Sequence, residues 1–146
     1  MADRSAPDRR FPRARSLKRR RLIRPLFDRS RGDVGRVAHG VVVVLWRLVP
    51  RAETGADEPV QVGFAPGRRA RIHVGRNRLR RLMRETYRRH QGPLRAGVPD
   101  GQALTAMVLF RGREATAAED LRRDLPAALD RLARRLAPDT PSPERP

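Results

Sequence analysis

The chain of 146 residues contains no cysteine, which excludes thiol nucleophiles, disulfide staples and zinc sites built on cysteine. It holds one lysine, Lys18, among 34 basic residues, and only 16 acids oppose them. Aromatics are scarce: four Phe, one Trp and one Tyr. Long apolar runs are missing too. The longest, VVVVLW at 41–46, is far too short to span a bilayer. The N-terminus, MADRSAPDRRFPRARS, carries charge but no apolar stretch, so it does not read as a secretory signal. The expectation is a cytoplasmic protein with no membrane partner.

What is present is positive charge. The formal net charge is +18, with a pI near 11.9, and this points to a polyanionic partner. Arginine suits phosphate forks better than lysine does. A codon bias explains a surplus of arginine over lysine equally well, so the argument rests on placement. Residues 9–31 carry ten Arg and Lys18 against Asp28 alone, and residues 68–89 carry ten Arg against Glu85 alone. Residues 112–146 hold seven Arg and seven acids. Two basic blocks and a neutral tail imply a surface with one positive side.

The length suits one domain. Residues 1–15 read as a disordered basic N-terminus, 16–137 as a folded α+β domain, and 138–146 as a disordered tail. SLKRRRLIRPLFDR (16–29) has partly helical spacing, with Ser16 as N-cap and a kink or restart at Pro25. VVVVLWRLV (41–49), PVQVGFA (59–65) and LTAMVLF (104–110) read as strands, with a weaker fourth near Val34–Ala38. An arginine-rich helix falls between Ala70 and Arg89. In the closing helix, residues 116–136, Leu121, Leu125, Leu129, Leu132 and Leu136 step by three and four. Thr116 and Glu119 make a capping box there, and Pro126 marks a bend. The order implies helices packed on one mixed sheet of three to four strands.

No catalyst emerges from the residues. His73 and His90 stand at opposite ends of the arginine-rich helix, on the order of 25 Å apart at helical rise, too far to share a scissile bond. Outside the last helix no pair of acids recurs at i, i+3 or i+4 in a basic or apolar context. Asp120 and Asp124 there read as partners of Arg123, and no phosphate-loop pattern occurs. A binding protein is the consequence. In GRNRLRRLMRETYRRH (75–90), Leu79, Leu82, Met83, Thr86 and Tyr87 form a core face. Arg80, Arg84 and Arg88 form a stripe beside Asn77 and Arg81. Like charges at that spacing repel, and a polyanion relieves them while releasing counterions.

VQVGFAPGRRARIHVGRNRLRRLMRETYR resembles the signature of the bacterial ribonuclease P protein family: a Val-Gly strand, a basic turn, then an Arg-Asn-Arg helix. SLKRRRLIRPLF resembles the family's first helix, and the likeness extends over roughly residues 16 to 136. It implies a fold like the second domain of ribosomal protein S5, with a left-handed crossover between parallel strands. It implies no catalytic residues in the chain. The family binds a catalytic P RNA, which removes the 5′ leader of precursor tRNA with Mg2+ held mainly by the RNA. By position, Arg68, Arg69, Arg76, Asn77, Arg78, Arg80, Arg81 and Arg84 inherit the RNA-binding role. Ile23, Phe27 and Trp46 fall at a cleft for the single-stranded leader. The departures are Gly67 at a basic position of the turn, His73 in place of Ala, Ile23 in place of an aromatic, and Pro25 interrupting the first helix. The alternatives are a basic ribosomal or ribosome-assembly protein and a DNA-binding regulator. DNA is not the expected partner, because a strand and Pro66-Gly67, rather than a helix, precede the basic helix.

Overall fold

The computed structural model describes residues 11–67 and 73–137, the side chains of residues 73 and 74 excepted. A short helix α1 (Arg20–Ile23) runs into a 3-10 turn at Arg24–Phe27. Strands β1 (Gly35–His39), β2 (Val42–Pro50) and β3 (Val60–Ala65) follow, then α2 (His73–His90), α3 (Gly92–Ala96), β4 (Gln102–Phe110) and α4 (Ala117–Leu136). The sheet order is β1-β2-β4-β3. β2 is antiparallel to both its neighbours, whereas β3 lies parallel to β4. The weak fourth strand is therefore real and forms one edge of a mixed sheet.

Alternation along the strands sorts residues to two faces. Val42 and Val44 of β2, Val60, Val62 and Phe64 of β3, and Leu104, Ala106, Val108 and Phe110 of β4 are buried in the main core. Against them pack Leu79, Met83 and Tyr87 of α2 and the leucines of α4. The opposite face carries a smaller cluster, Leu17, Leu22 and Leu26, with Ile23, Val34, Leu45 and Met107 against it. At Gly63 a Cβ would strike the Met107 sulfur, so glycine leaves room for the Met107 side chain beside β3.

Several local expectations need correction. Residues 11–15, expected to be disordered, are placed on the fold: the Phe11 ring meets Phe64 and Tyr87 edge-on, with centroids 5.9 and 5.8 Å away, and residues 1–10 lie outside the described residues. Ser16 does not cap a helix; it forms a parallel bridge to Val62, and the Leu17 amide donates to the Val62 carbonyl at 3.0 Å. That segment also covers the outer edge of β3. The first helix is only one turn because Pro25 divides it into α and 3-10 parts. Thr116 makes no cap either, since a 3-10 turn at Glu114–Thr116 winds straight into α4, and its hydroxyl donates to Asp120 at 2.8 Å. α4 continues through Pro126.

α4 is tied to the β1–β2 hairpin. The Asp124 carboxylate is buried and accepts from the Val41 amide at 3.0 Å and from Arg123 Nε at 2.8 Å. Gly40, at φ 55°, makes room for it; a Cβ there would overlap the carboxylate. Along the free edge of β1, Arg131 donates to the Ala38 carbonyl at 2.8 Å and Arg135 reaches the Arg36 carbonyl at 3.5 Å.

The Arg123 guanidinium, then the Val41 amide, hold the Asp124 carboxyl below its ordinary value of 3.8. A depressed carboxyl stabilises the fold fully above the unfolded value and loses that contribution as pH falls through the folded value. Asp124→Asn should therefore cost about 1–3 kcal/mol at neutral pH. In urea unfolding the gap to the unaltered chain should close below pH 4, the range set by the unfolded value. A pH-independent gap would contradict the ionic role.

Candidate nucleic-acid interface

α2 follows the break at Pro66-Gly67 and is anchored by one apolar seam. Leu79 and Tyr87 are 1% exposed and Met83 is wholly buried; burial raises the Tyr87 hydroxyl above its ordinary value. Leu82 and Thr86, expected on the same face, are half-buried. Of the other described side chains of α2, the arginines and Asn77 turn outward. Asn77, Arg78 and Arg81 are exposed, while Arg76, Arg80, Arg84 and Arg88 are half-exposed.

Arg76 Nη1 donates to the Gly67 carbonyl at 2.9 Å, tying the first turn of the helix to the end of the preceding strand connection. Arg80 Nη1 donates to Asn77 Oδ1 at 3.3 Å. Glu85, the single acid of α2, binds Arg88 at 2.7 Å and Arg89 at 3.5 Å. Arg88, above all, holds the Glu85 carboxyl below its usual range. Among the described residues, no acid lies within ion-pair distance of Arg78, Arg80, Arg81 or Arg84. Glu85 therefore relieves repulsion at the C-terminal end of α2 and leaves the middle unopposed. Arg68 and Arg69 lie outside the described residues.

A second basic surface occupies the other face of the sheet. The segment after α1 and the face of β2, β1 and β4 enclose a groove of about 510 Å³. Its apolar wall is Leu26, Phe27, Val34, Leu45 and Leu109, and Arg29, Arg31, Arg36 and Arg111 surround it with Asp28. Phe27 is 49% exposed, the one exposed large hydrophobic side chain among the described residues. An open ring beside guanidinium groups suits stacking of an unpaired base with phosphates alongside.

Trp46 is not part of this groove. It follows Leu45 in β2, so it points to the opposite face and packs on the main core across from Gly35. A Cβ at Gly35 would overlap its indole. Leu45 takes the position expected of Trp46. Ile23 belongs to the small cluster that supports the groove, and does not line it. Among the described residues the basic blocks do not form one positive side: α2 packs on one face of the sheet, and α1 with the loop after it on the other. Period-two parity along VVVVLW was enough to separate Leu45 from Trp46. Nothing local to residues 29–36 or to Arg111 indicated that a groove would join them.

His39 lies 3.9 Å from Asp124, and no other histidine approaches it among the described contacts. Among the described residues, no group of three His, Asp or Glu side chains is placed to hold a metal. No helix among the described residues is long and apolar enough to cross a membrane.

Comparison with known proteins adds an independent finding. The model of the family described as Ribonuclease P matches residues 11–133. A solved structure of Staphylococcus aureus RNase P protein superposes with a TM-score of 0.52 at 17% identity, covering 78% of this chain and 94% of that one. A second structure of RNase P protein from Staphylococcus aureus gives a TM-score of 0.50 at 16% identity, with 82% and 93% covered. No curated protein matches the sequence.

The parity of β2 makes a spectroscopic prediction. Titration with a single-stranded oligonucleotide should leave the emission of Trp46 nearly unchanged, because its ring is packed away from the groove. A Trp46→Phe/Phe27→Trp variant should be quenched on the same titration. Quenching of Trp46 in the unaltered chain would contradict the separation of the two faces.

Proposed function

The chain belongs to the Ribonuclease P family, and we propose that it is the protein subunit that joins a catalytic P RNA to precursor tRNA. The family is one of tRNA-processing ribonucleoproteins. The observation that carries the finer reading is the pair of basic surfaces separated by one sheet. A single basic patch serves one polyanion. Two patches on opposite faces hold two RNAs together while keeping their backbones apart.

On this reading α2 faces the catalytic RNA, through Arg76, Asn77, Arg78, Arg80, Arg81 and Arg84, with Arg68 and Arg69 in the connection before it. The groove beside Phe27 takes the single-stranded 5′ leader: the ring stacks on a base, and Arg29, Arg36 and Arg111 meet phosphates. The chain supplies no nucleophile and no general base. Its contribution is positioning and charge screening, which raise affinity for precursor over mature tRNA and lower the magnesium requirement. On this reading Mg2+ is held mainly by the RNA. The working compartment is the cytoplasm.

The test is reconstitution. The purified chain, a bacterial catalytic P RNA and labelled precursor tRNA are mixed at low magnesium. Cleavage at the mature 5′ end should need both macromolecules. Tight RNA binding without stimulated cleavage would move the reading to a ribosomal or ribosome-assembly role. A further expectation concerns α2 alone. Arg80→Ala or Arg81→Ala should weaken binding to the P RNA and reduce the slope of log affinity against log salt by about one unit each. An unchanged slope in both variants would remove α2 from the RNA interface.

A further inference from the structure

The loop from Asp28 to Val34 carries two acids, and they are used differently. Asp28 lines the groove but is occupied locally: one oxygen accepts from the Ser30 amide at 3.0 Å and from its hydroxyl at 2.6 Å. Asp33 instead holds two arginines. Arg31 places Nε on one Asp33 oxygen at 2.9 Å and Nη2 on the other at 3.0 Å. Arg47 Nε reaches the second oxygen at 2.9 Å. Arg31 lines the groove, and Arg47 follows Leu45 by two residues on the same sheet face.

The fork of Arg31 is thus filled by a carboxylate in the geometry a phosphate would otherwise take. No other guanidinium lining the groove is so engaged: among the described residues Arg29, Arg36 and Arg111 make no ion pair. The Asp33 side chain is 50% exposed, so water reaches it and its release needs no unpacking.

We propose that Asp33 is an internal counter-anion that must yield Arg31 and Arg47 before a phosphodiester can use them, and so sets how tightly the groove grips single-stranded RNA. This rests on the groove being the leader site. Strand binding at this end of the groove is an exchange of carboxylate for phosphate. Exchange gains less than capture by a bare guanidinium, and it releases fewer counterions because the carboxylate already offsets one of the two charges. The groove therefore holds a leader more weakly than its arginine count implies, which favours departure of the cleaved strand.

The experiment is fluorescence anisotropy of a labelled hexauridylate with the full chain, at several salt concentrations. Folding of each variant is checked by thermal unfolding. Asp33→Asn should raise affinity roughly three- to tenfold and steepen the salt slope by about 0.7 for each phosphate newly engaged. Asp100→Asn, which removes one exposed acid beyond the other end of β4, should do neither. Combining Asp33→Asn with Arg31→Gln and Arg47→Gln should abolish the gain.

Equal gains from Asp33→Asn and Asp100→Asn would reduce the effect to net charge and overturn the proposal. So would a gain that survives loss of both arginines. An unchanged affinity in Asp33→Asn, while Phe27→Ala still weakens binding, overturns the proposal alone and leaves the groove as the leader site. If Phe27→Ala and Arg36→Gln are also without effect, the groove reading fails and the proposal falls with it.

Discussion

The apolar seam of α2 carries a burden that few helices of this length face. Leu79, Met83 and Tyr87 must hold against the sheet a helix whose outer side is arginine with one acid. Like charges at helical spacing oppose the helix itself, and Glu85 offsets that only near its C-terminus. The seam succeeds because it does not act alone. Phe11 and Phe64 close around Tyr87 in edge-to-face contacts, with Phe64 and Tyr87 centroids 5.6 Å apart. Three of the six aromatics are spent on this one joint. Few rings are left for the surface, which makes the exposure of Phe27 informative.

The second constraint is the parallel pairing of β3 with β4. A parallel neighbour cannot be reached by a tight turn, so the chain must cross over the sheet, and α2 with α3 is the crossing segment. The helix that carries the charge is therefore also the helix that closes the fold. Its position relative to the groove follows from the same topology. The crossover packs on one face, the N-terminal segment on the other, and the sheet keeps the two basic regions apart.

Much of this was legible in the residues. The strands announced themselves by β-branched runs between Gly and Pro, and the α2 seam by its three-and-four spacing. The arginine blocks marked the surfaces, and the motif from Val60 to Arg88 marked the family. What the sequence did not disclose was set by tertiary contacts. Phe11 reads as part of a polar arm until Tyr87 is placed beside it. Ser16 reads as a cap until β3 offers it a strand edge. Thr116 loses its cap to a preceding 3-10 turn that no local signal requires. The sidedness of the two basic blocks depends on a crossover, which charge counts do not record. The groove unites residues from 26 to 111, so no window of sequence contains it.

The two edges of the sheet bear on how such a basic chain keeps its own company. On β3 the outer edge is taken by Ser16 and Leu17. On β1 the guanidinium groups of Arg131 and Arg135 sit on main-chain carbonyls that a visiting strand would need. An unpaired edge is a template for another copy of the same chain, and both templates here are masked from within. Pairing of two copies through these edges is thereby opposed.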